Sequence, residues 1–84
     1  MSLKIIQFIA NYSNSAKLLD KQMADEDFGV DIQKIDIMSN VGLTSTYGVK
    51  TLPCILLLKD GVEVDRLQGN IPLRLITEMI NRHS

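Results

Sequence analysis

The sequence has one cysteine, Cys54, together with two prolines, one histidine and no tryptophan. A single cysteine cannot close an internal disulfide, which excludes a disulfide framework. Because small secreted domains usually carry paired cysteines, this composition favours a reducing compartment, and we predict a cytoplasmic protein. No Cys/His pair has the spacing of a metal site, so the sequence predicts neither a metal nor another cofactor.

The sequence also lacks an excess of one charge. Nine Lys and Arg residues stand against ten Asp and Glu residues, for a formal net charge of −1. No basic run occurs, so nucleic acid is not a predicted partner. The apolar segment at residues 3–10 is short, contains Lys4 and Gln7, and is followed by polar residues instead of a cleavage site. We therefore predict neither a signal peptide nor a membrane span.

The length of 84 residues suits one domain covering residues 1–84. Residues 4–10 are rich in Ile and Phe, which predicts a buried strand. Helix-forming residues then extend from Ser15 to about Glu26, and residues 30–37 alternate as a second strand does. Residues 38–46 are polar and contain glycine, so we predict a loop with room for one helical turn.

The second half of the sequence predicts a hairpin and a helix. Residues 54–58 form a third strand, Asp60-Gly61 is a strong hairpin signal, and residues 62–67 supply the antiparallel partner. Pro72 suits the first turn of a final helix. The apolar stripe of that helix is Leu75, Ile76, Met79 and Ile80. Together these elements predict an α/β fold of order βαβ-ββα. Its four strands form a mixed sheet flanked by helices, and the first two strands are parallel.

Three stretches resemble the thioredoxin family. Residues 7–17 read Gln-Phe-Ile-Ala-Asn-Tyr-Ser-Asn-Ser-Ala-Lys, against the family's Asp-Phe-Trp-Ala-x-Trp-Cys-Gly-Pro-Cys-Lys. Residues 47–53, Tyr-Gly-Val-Lys-Thr-Leu-Pro, look like the family's approach to its cis-proline, and residues 56–61 are followed by Gly69 before the last helix. The resemblance covers nearly the whole chain from Lys4, without the family's first strand and helix. It implies a thioredoxin-like fold.

The two redox cysteine positions of the family hold Ser13 and Ala16. Dithiol exchange needs a thiolate and a second, resolving thiol, and neither residue supplies one. The family's buried carboxylate, which transfers a proton to the second cysteine, is replaced by Gln7, whereas its lysine neighbour is kept as Lys34. Lys34 is expected to pair locally with Asp36. The resemblance therefore implies a chain without dithiol chemistry, although an engineered double cysteine mutant would lack both thiols as well.

The resemblance also implies a binding groove. In the family, the backbone before the cis-proline pairs with an extended substrate segment, which is a form of strand addition. The residues that would line this groove are Tyr12, Ser13, Asn14, Thr51, Leu52, Pro53 and Gly69. A non-catalytic domain that binds a protein or an extended peptide segment is the favoured interpretation. The plainer one is that Pro53 only shapes the turn into the third strand.

Two redox interpretations remain as alternatives to the binding domain. In the first, Cys54 is a single reactive thiol near the groove; we favour instead that it is a buried, inert strand residue.

The second alternative is a glutathione-linked enzyme, in which Tyr12 or Ser13 would activate the glutathione sulfur. The acidic residue and serine that such an enzyme would carry after the hairpin are absent. Ser13 as a nucleophile lacks an adjacent base, since His83 lies at the end of the last helix. A helix N-cap at Ser13 or Ser15 is therefore preferred.

Overall fold

A computed structural model describes residues 2–84 of the chain. Its strands and helices follow the predicted order, with one helix more than expected. They are β1 (Leu3–Ile9), α1 (Asn14–Ala24), β2 (Asp31–Asp36), α2 (Val41–Thr46), β3 (Cys54–Lys59), β4 (Val62–Gln68) and α3 (Leu73–His83).

The strands form one mixed sheet of four strands in the order β2-β1-β3-β4. β1 runs parallel to β2, and β3 runs antiparallel to both β1 and β4. The predicted mixed sheet is therefore confirmed. The turn between β3 and β4 is made by Asp60 and Gly61, whose φ angles of 52° and 86° are both positive. Positive φ at both central residues is what a two-residue type I′ hairpin turn requires, which explains the Asp-Gly pair.

Both faces of the sheet are covered, because successive strand residues point to opposite sides. On one side, strand residues such as Ile5, Ile55 and Leu57 pack with apolar residues of α1 and α3. The opposite side contains Ile6, Phe8, Ile35, Cys54, Leu56 and Leu58. Tyr47, Val49 and Leu52 pack against this second cluster. The segment that leads to Pro53 is thus anchored on the sheet.

Helix α1 buries Ala16, Leu19 and Met23, the face that the sequence predicts. It begins at Asn14 and ends at Ala24, so it ends two residues before the predicted end. Gly29, at a φ of 72°, lies in the loop that follows and does not cap the helix. Helix α3 begins at Leu73, with Pro72 as its N-cap instead of a first-turn residue.

Over residues 38–46, where the sequence predicts a loop with room for one helical turn, Val41–Thr46 form the six-residue helix α2, which is longer than one turn. Glycine and β-branched or hydroxyl residues have low helix propensity, and none of the six residues is buried, so no apolar period marks this helix. Hydrogen bonds hold it instead: both the N–H and the Oγ1 of Thr44 donate to the Asn40 carbonyl, at 3.0 and 2.9 Å. Arg66 Nη2 also donates to the Tyr47 carbonyl at 2.6 Å, which ties the end of α2 to β4.

None of the helices within residues 2–84 has both the length and the apolar character required to cross a bilayer.

Candidate functional site

The start of α1 lies directly after β1, and Ser13 is its N-cap. The Ser13 N–H donates to the Ala10 carbonyl at 3.1 Å, and the Ser13 Oγ accepts from the Ala16 N–H at 3.2 Å. His83, the one histidine of the chain, has its Nε2 3.0 Å from Asp65 Oδ2. Ser13 therefore has a structural partner and no histidine beside it, and the geometry gives it no means of activation.

Ala16, at the family's second cysteine position, is 1% exposed and belongs to the core face of α1. Its side chain is a buried methyl group that offers no reactive atom. Neither of the two positions that carry dithiol chemistry in the family holds a nucleophile here.

A carboxylate nevertheless lies beside Gln7, and it comes from α1. The buried Gln7 side chain donates from Nε2 to Asp20 Oδ1 at 3.1 Å, and Lys34 Nζ is 2.9 Å from the same oxygen. Gln7 and Lys34 are register partners in the parallel strands β1 and β2, so Asp20 reaches both. The expected Lys34–Asp36 pair is wrong: Asp36 Oδ1 accepts from the Met38 N–H at 2.9 Å in the turn after β2.

The segment before β3 leaves backbone groups free. The Leu52–Pro53 peptide bond is cis, and the Gly69 N–H donates to the Pro53 carbonyl at 3.1 Å. Within residues 2–84, the N–H and C=O of Leu52 have no backbone hydrogen-bond partner. Such a donor and acceptor pair is what an extended segment of another chain requires for strand addition.

A cleft of about 380 Å³ opens beside Pro53, and we call it the Leu18 cleft. Its apolar lining residues are Leu18, Leu19, Pro53 and Ile71. Ser15, Gln22 and Asn70 add polar side chains, and Gly69 completes the lining. Leu18 is 59% exposed although it is a leucine.

The structure brings together only part of the predicted groove. Pro53 and Gly69 are joined by a backbone hydrogen bond, and both line the Leu18 cleft. Tyr12, Asn14 and Thr51 are exposed and lie outside its lining. Leu52 packs against the core cluster of the second sheet face, so its side chain is turned inward.

The sequence interpretation missed Leu18, Gln22, Asn70 and Ile71. One signal was available for Leu18, because it falls outside the apolar face formed by Ala16, Leu19 and Met23. The contribution of Asn70 and Ile71 had no sequence signal, since it depends on the loop after β4 approaching α1.

Cys54 opens β3 and is fully buried. Burial raises the pKa of its thiol, and the opposing influence of Arg66 is smaller. A raised pKa leaves less thiolate at neutral pH, which agrees with the interpretation of Cys54 as an inert strand residue.

The larger concavity, about 700 Å³, lies at the opposite end of the sheet. It is bordered by residues such as Leu3, Phe28, Val30 and Ile80, and it contains none of the predicted site residues. Within residues 2–84, no group of three or more His, Cys, Asp or Glu side chains is placed to hold a metal ion.

Comparison with known proteins gives a consistent result. A sequence model of the thioredoxin family matches residues 2–82. Thioredoxin of Staphylococcus epidermidis is 28% identical over 85 residues, spanning 96% of this chain and 82% of that protein. Thioredoxin of Bacillus subtilis is 37% identical over 65 residues, spanning 77% of this chain and 60% of that protein.

Solved structures agree in fold. Thioredoxin 1 of Thermosipho africanus superposes with a TM-score of 0.80 at 26% identity, covering 95% of this chain and 92% of that one. A mutant thioredoxin of Halobacterium salinarum gives a TM-score of 0.84 at 24% identity, covering 96% of this chain and 74% of that one. Because the family model matches nearly the whole length of this chain, the chain belongs to the thioredoxin family.

Proposed function

We propose that this thioredoxin-family domain binds an extended segment of a partner protein at the Pro53 edge and exchanges no disulfide with it. The observation that carries the proposal is the free N–H and C=O of Leu52, next to Pro53 and Gly69. These groups stand where strand addition would use them, while the two thiol positions hold Ser13 and Ala16.

Binding without exchange follows from the chemistry of the side chains present. The Ser13 hydroxyl is engaged as a helix cap, and Ala16 carries only a methyl group. Cys54 is buried, with a pKa raised by that burial, so a mixed disulfide with a partner would require the strand to open. A single-thiol function of Cys54 and a glutathione-linked function of Tyr12 or Ser13 are therefore the less favoured alternatives.

The first experiment measures chemistry and binding on the same protein. Reduction of insulin disulfides by dithiothreitol is compared for the parent protein and Cys54→Ala. We expect no turnover above dithiothreitol alone in either case. Turnover by the parent that Cys54→Ala loses would contradict the proposal and assign a redox function to Cys54.

The second experiment selects binders from a displayed library of random peptides with reductant present. Hydrogen exchange of the Leu52 amide is then followed with and without a selected peptide. We expect rapid exchange in the free protein and clear protection when the peptide is bound, because an added strand accepts a hydrogen bond from Leu52. The Asp27 amide, which also has no backbone partner, lies at the other end of α1 and serves as the unchanged control. Unaltered exchange at Leu52 on binding would refute strand addition there.

A further inference from the structure

The Leu18 cleft and the charges around it suggest what kind of segment binds. We propose that the cleft receives one large apolar side chain of the bound segment, and that basic residues beside it select acidic residues flanking that side chain. This inference rests on the proposed binding function and specifies its ligand as an acidic, extended peptide with an apolar anchor.

The position of the cleft links it to the free backbone. Pro53 and Gly69 line the cleft, and Leu52 immediately precedes Pro53. In an extended segment, side chains alternate between the two faces of the strand at a spacing of a few ångströms. A segment paired with Leu52 therefore runs beside the cleft, and one of its two sets of alternate side chains faces the protein surface there.

The lining suits an apolar side chain. Leu18, Leu19 and Ile71 provide hydrocarbon, and Gln22 and Asn70 provide polar groups able to bond the backbone of the segment. A single exposed leucine on a helix is ordinary, but Leu18 borders a concave surface and is 59% exposed. Covering it with an apolar partner removes hydrocarbon from water, which is the main source of affinity in such pockets.

The residues that line the cleft are uncharged, and the segments that contribute them are mostly basic. The segments that form it, residues 11–22, 48–53 and 68–75, carry four basic residues, namely Lys17, Lys21, Lys50 and Arg74. Their one acidic residue, Asp20, forms an ion pair with Lys34 and accepts a hydrogen bond from Gln7. Among the described residues, the three lysines have no carboxylate within 4.0 Å, and Arg74 approaches Glu78 only to 3.9 Å.

Five of the ten acidic residues lie at the other end of the molecule. Asp25, Glu26 and Asp27 follow α1, Asp31 opens β2 and Asp60 lies in the hairpin turn. Each of the other five has a local partner: Asp20 with Lys34, Glu63 with Arg66, Glu78 with Arg74, Asp65 with Arg82, and Asp36 with the Met38 N–H. Lysines without a carboxylate partner attract negative charge and disfavour positive charge, which predicts selection for acidic residues.

The test uses three labelled peptides of equal length in fluorescence anisotropy. The first has a central Leu flanked by Glu, the second a central Ser flanked by Glu, and the third a central Leu flanked by Lys. We expect the first to bind about tenfold or more tightly than either other peptide, since burying a leucine and matching charge each contribute on that scale. The preference for Glu over Lys should shrink as salt is added.

Protein variants assign the effect to the cleft. Leu18→Glu, an exposed change to another good helix former, should abolish the preference for central Leu. Lys21→Glu and Lys50→Glu should each weaken binding of the Glu-flanked peptide severalfold. Lys59→Glu makes the same charge change at the opposite end of the sheet and should leave binding unchanged.

The outcomes separate this inference from the proposed function. Equal affinity for central Leu and central Ser, or no effect of Leu18→Glu, overturns the cleft assignment even if library peptides protect the Leu52 amide. Absence of binding by all three peptides overturns it as well. The proposed function fails separately, if no selected peptide protects Leu52.

Discussion

Gln7 on β1 donates its side-chain amide to Asp20 on α1, across 3.1 Å. Position 7 holds no carboxylate, yet a carboxylate oxygen from the helix lies beside it and also pairs with Lys34 Nζ at 2.9 Å. The arrangement satisfies a buried amide, whose cost if left unpaired would be substantial, and it neutralises the lysine that the chain keeps. The Asp20 side chain therefore links α1 to both β1 and β2.

The Gln7–Asp20 contact should contribute measurably to stability. Asp20→Ala is expected to lower the free energy of unfolding by about 1 kcal/mol, because a buried amide loses its acceptor, partly offset by alanine's higher helix propensity. Asp20→Asn keeps an oxygen acceptor of the same shape and should cost about 0.5 kcal/mol or less. Urea denaturation of both variants checks this, and equal losses would mean that the ion pair with Lys34 provides the stability instead.

The N-cap at Ser13 gives a second prediction. Ser13→Ala removes the hydroxyl that accepts from the Ala16 N–H and should lower the free energy of unfolding by about 1 kcal/mol. Ser15→Ala, an exposed change within the first turn of the same helix, should shift it by about 0.5 kcal/mol or less. Thermal and urea unfolding measure both. If the two variants are indistinguishable, the hydroxyl of Ser13 is not a structural cap.

Asp65 predicts a pH dependence of stability. Hydrogen bonds from Arg82, and in lesser degree from the Arg66 backbone and His83, hold the pKa of this carboxyl below its ordinary value of 3.8. Because the folded pKa is the lower one, the ionised form stabilises the fold above the ordinary value, and this contribution is lost as the pH falls through the folded pKa. The stability difference between the parent and Asp65→Asn should therefore be full near neutral pH and shrink below about pH 4.

The matched control for Asp65 is Glu78→Gln, which removes an exposed carboxylate 3.9 Å from Arg74. Urea unfolding across the acid range should give nearly the same curve for this variant as for the parent. A stability difference for Asp65→Asn that does not change with pH would refute the role assigned to the ionised carboxylate.

Cys54 should react slowly in the folded protein. The thiol is fully buried and its pKa is raised by that burial, so reagents reach it only when the strand opens. Labelling with a disulfide reagent at mildly alkaline pH is expected to be roughly a hundredfold or more slower in buffer than in concentrated urea. The chain has no other cysteine, so the signal is unambiguous. Comparable rates in the two conditions would revive the interpretation of Cys54 as a working thiol.

The strands and the two longer helices were predictable because their signals are local. Apolar runs such as residues 4–10, the Asp60-Gly61 turn and the stripe on α3 each specify an element without reference to the rest of the chain. α2 was not predictable in this way. None of its six residues is buried and all but Leu43 are poor helix formers, and hydrogen bonds of Thr44 together with the Arg66 hydrogen bond to Tyr47 stabilise it.

For the candidate site, the sequence alone determined which chemistry is absent, since Ser13, Ala16 and a single cysteine exclude a dithiol pair wherever the chain places them. The tertiary structure decided which groups surround Ser13 and Ala16. It places the Asp20 carboxylate of α1 beside Gln7 and leaves the N–H and C=O of Leu52 without backbone partners. It also forms a cleft between Leu18 and Ile71. Each of these depends on segments far apart in sequence meeting in space, and the periodicity of a chain carries no information about such meetings.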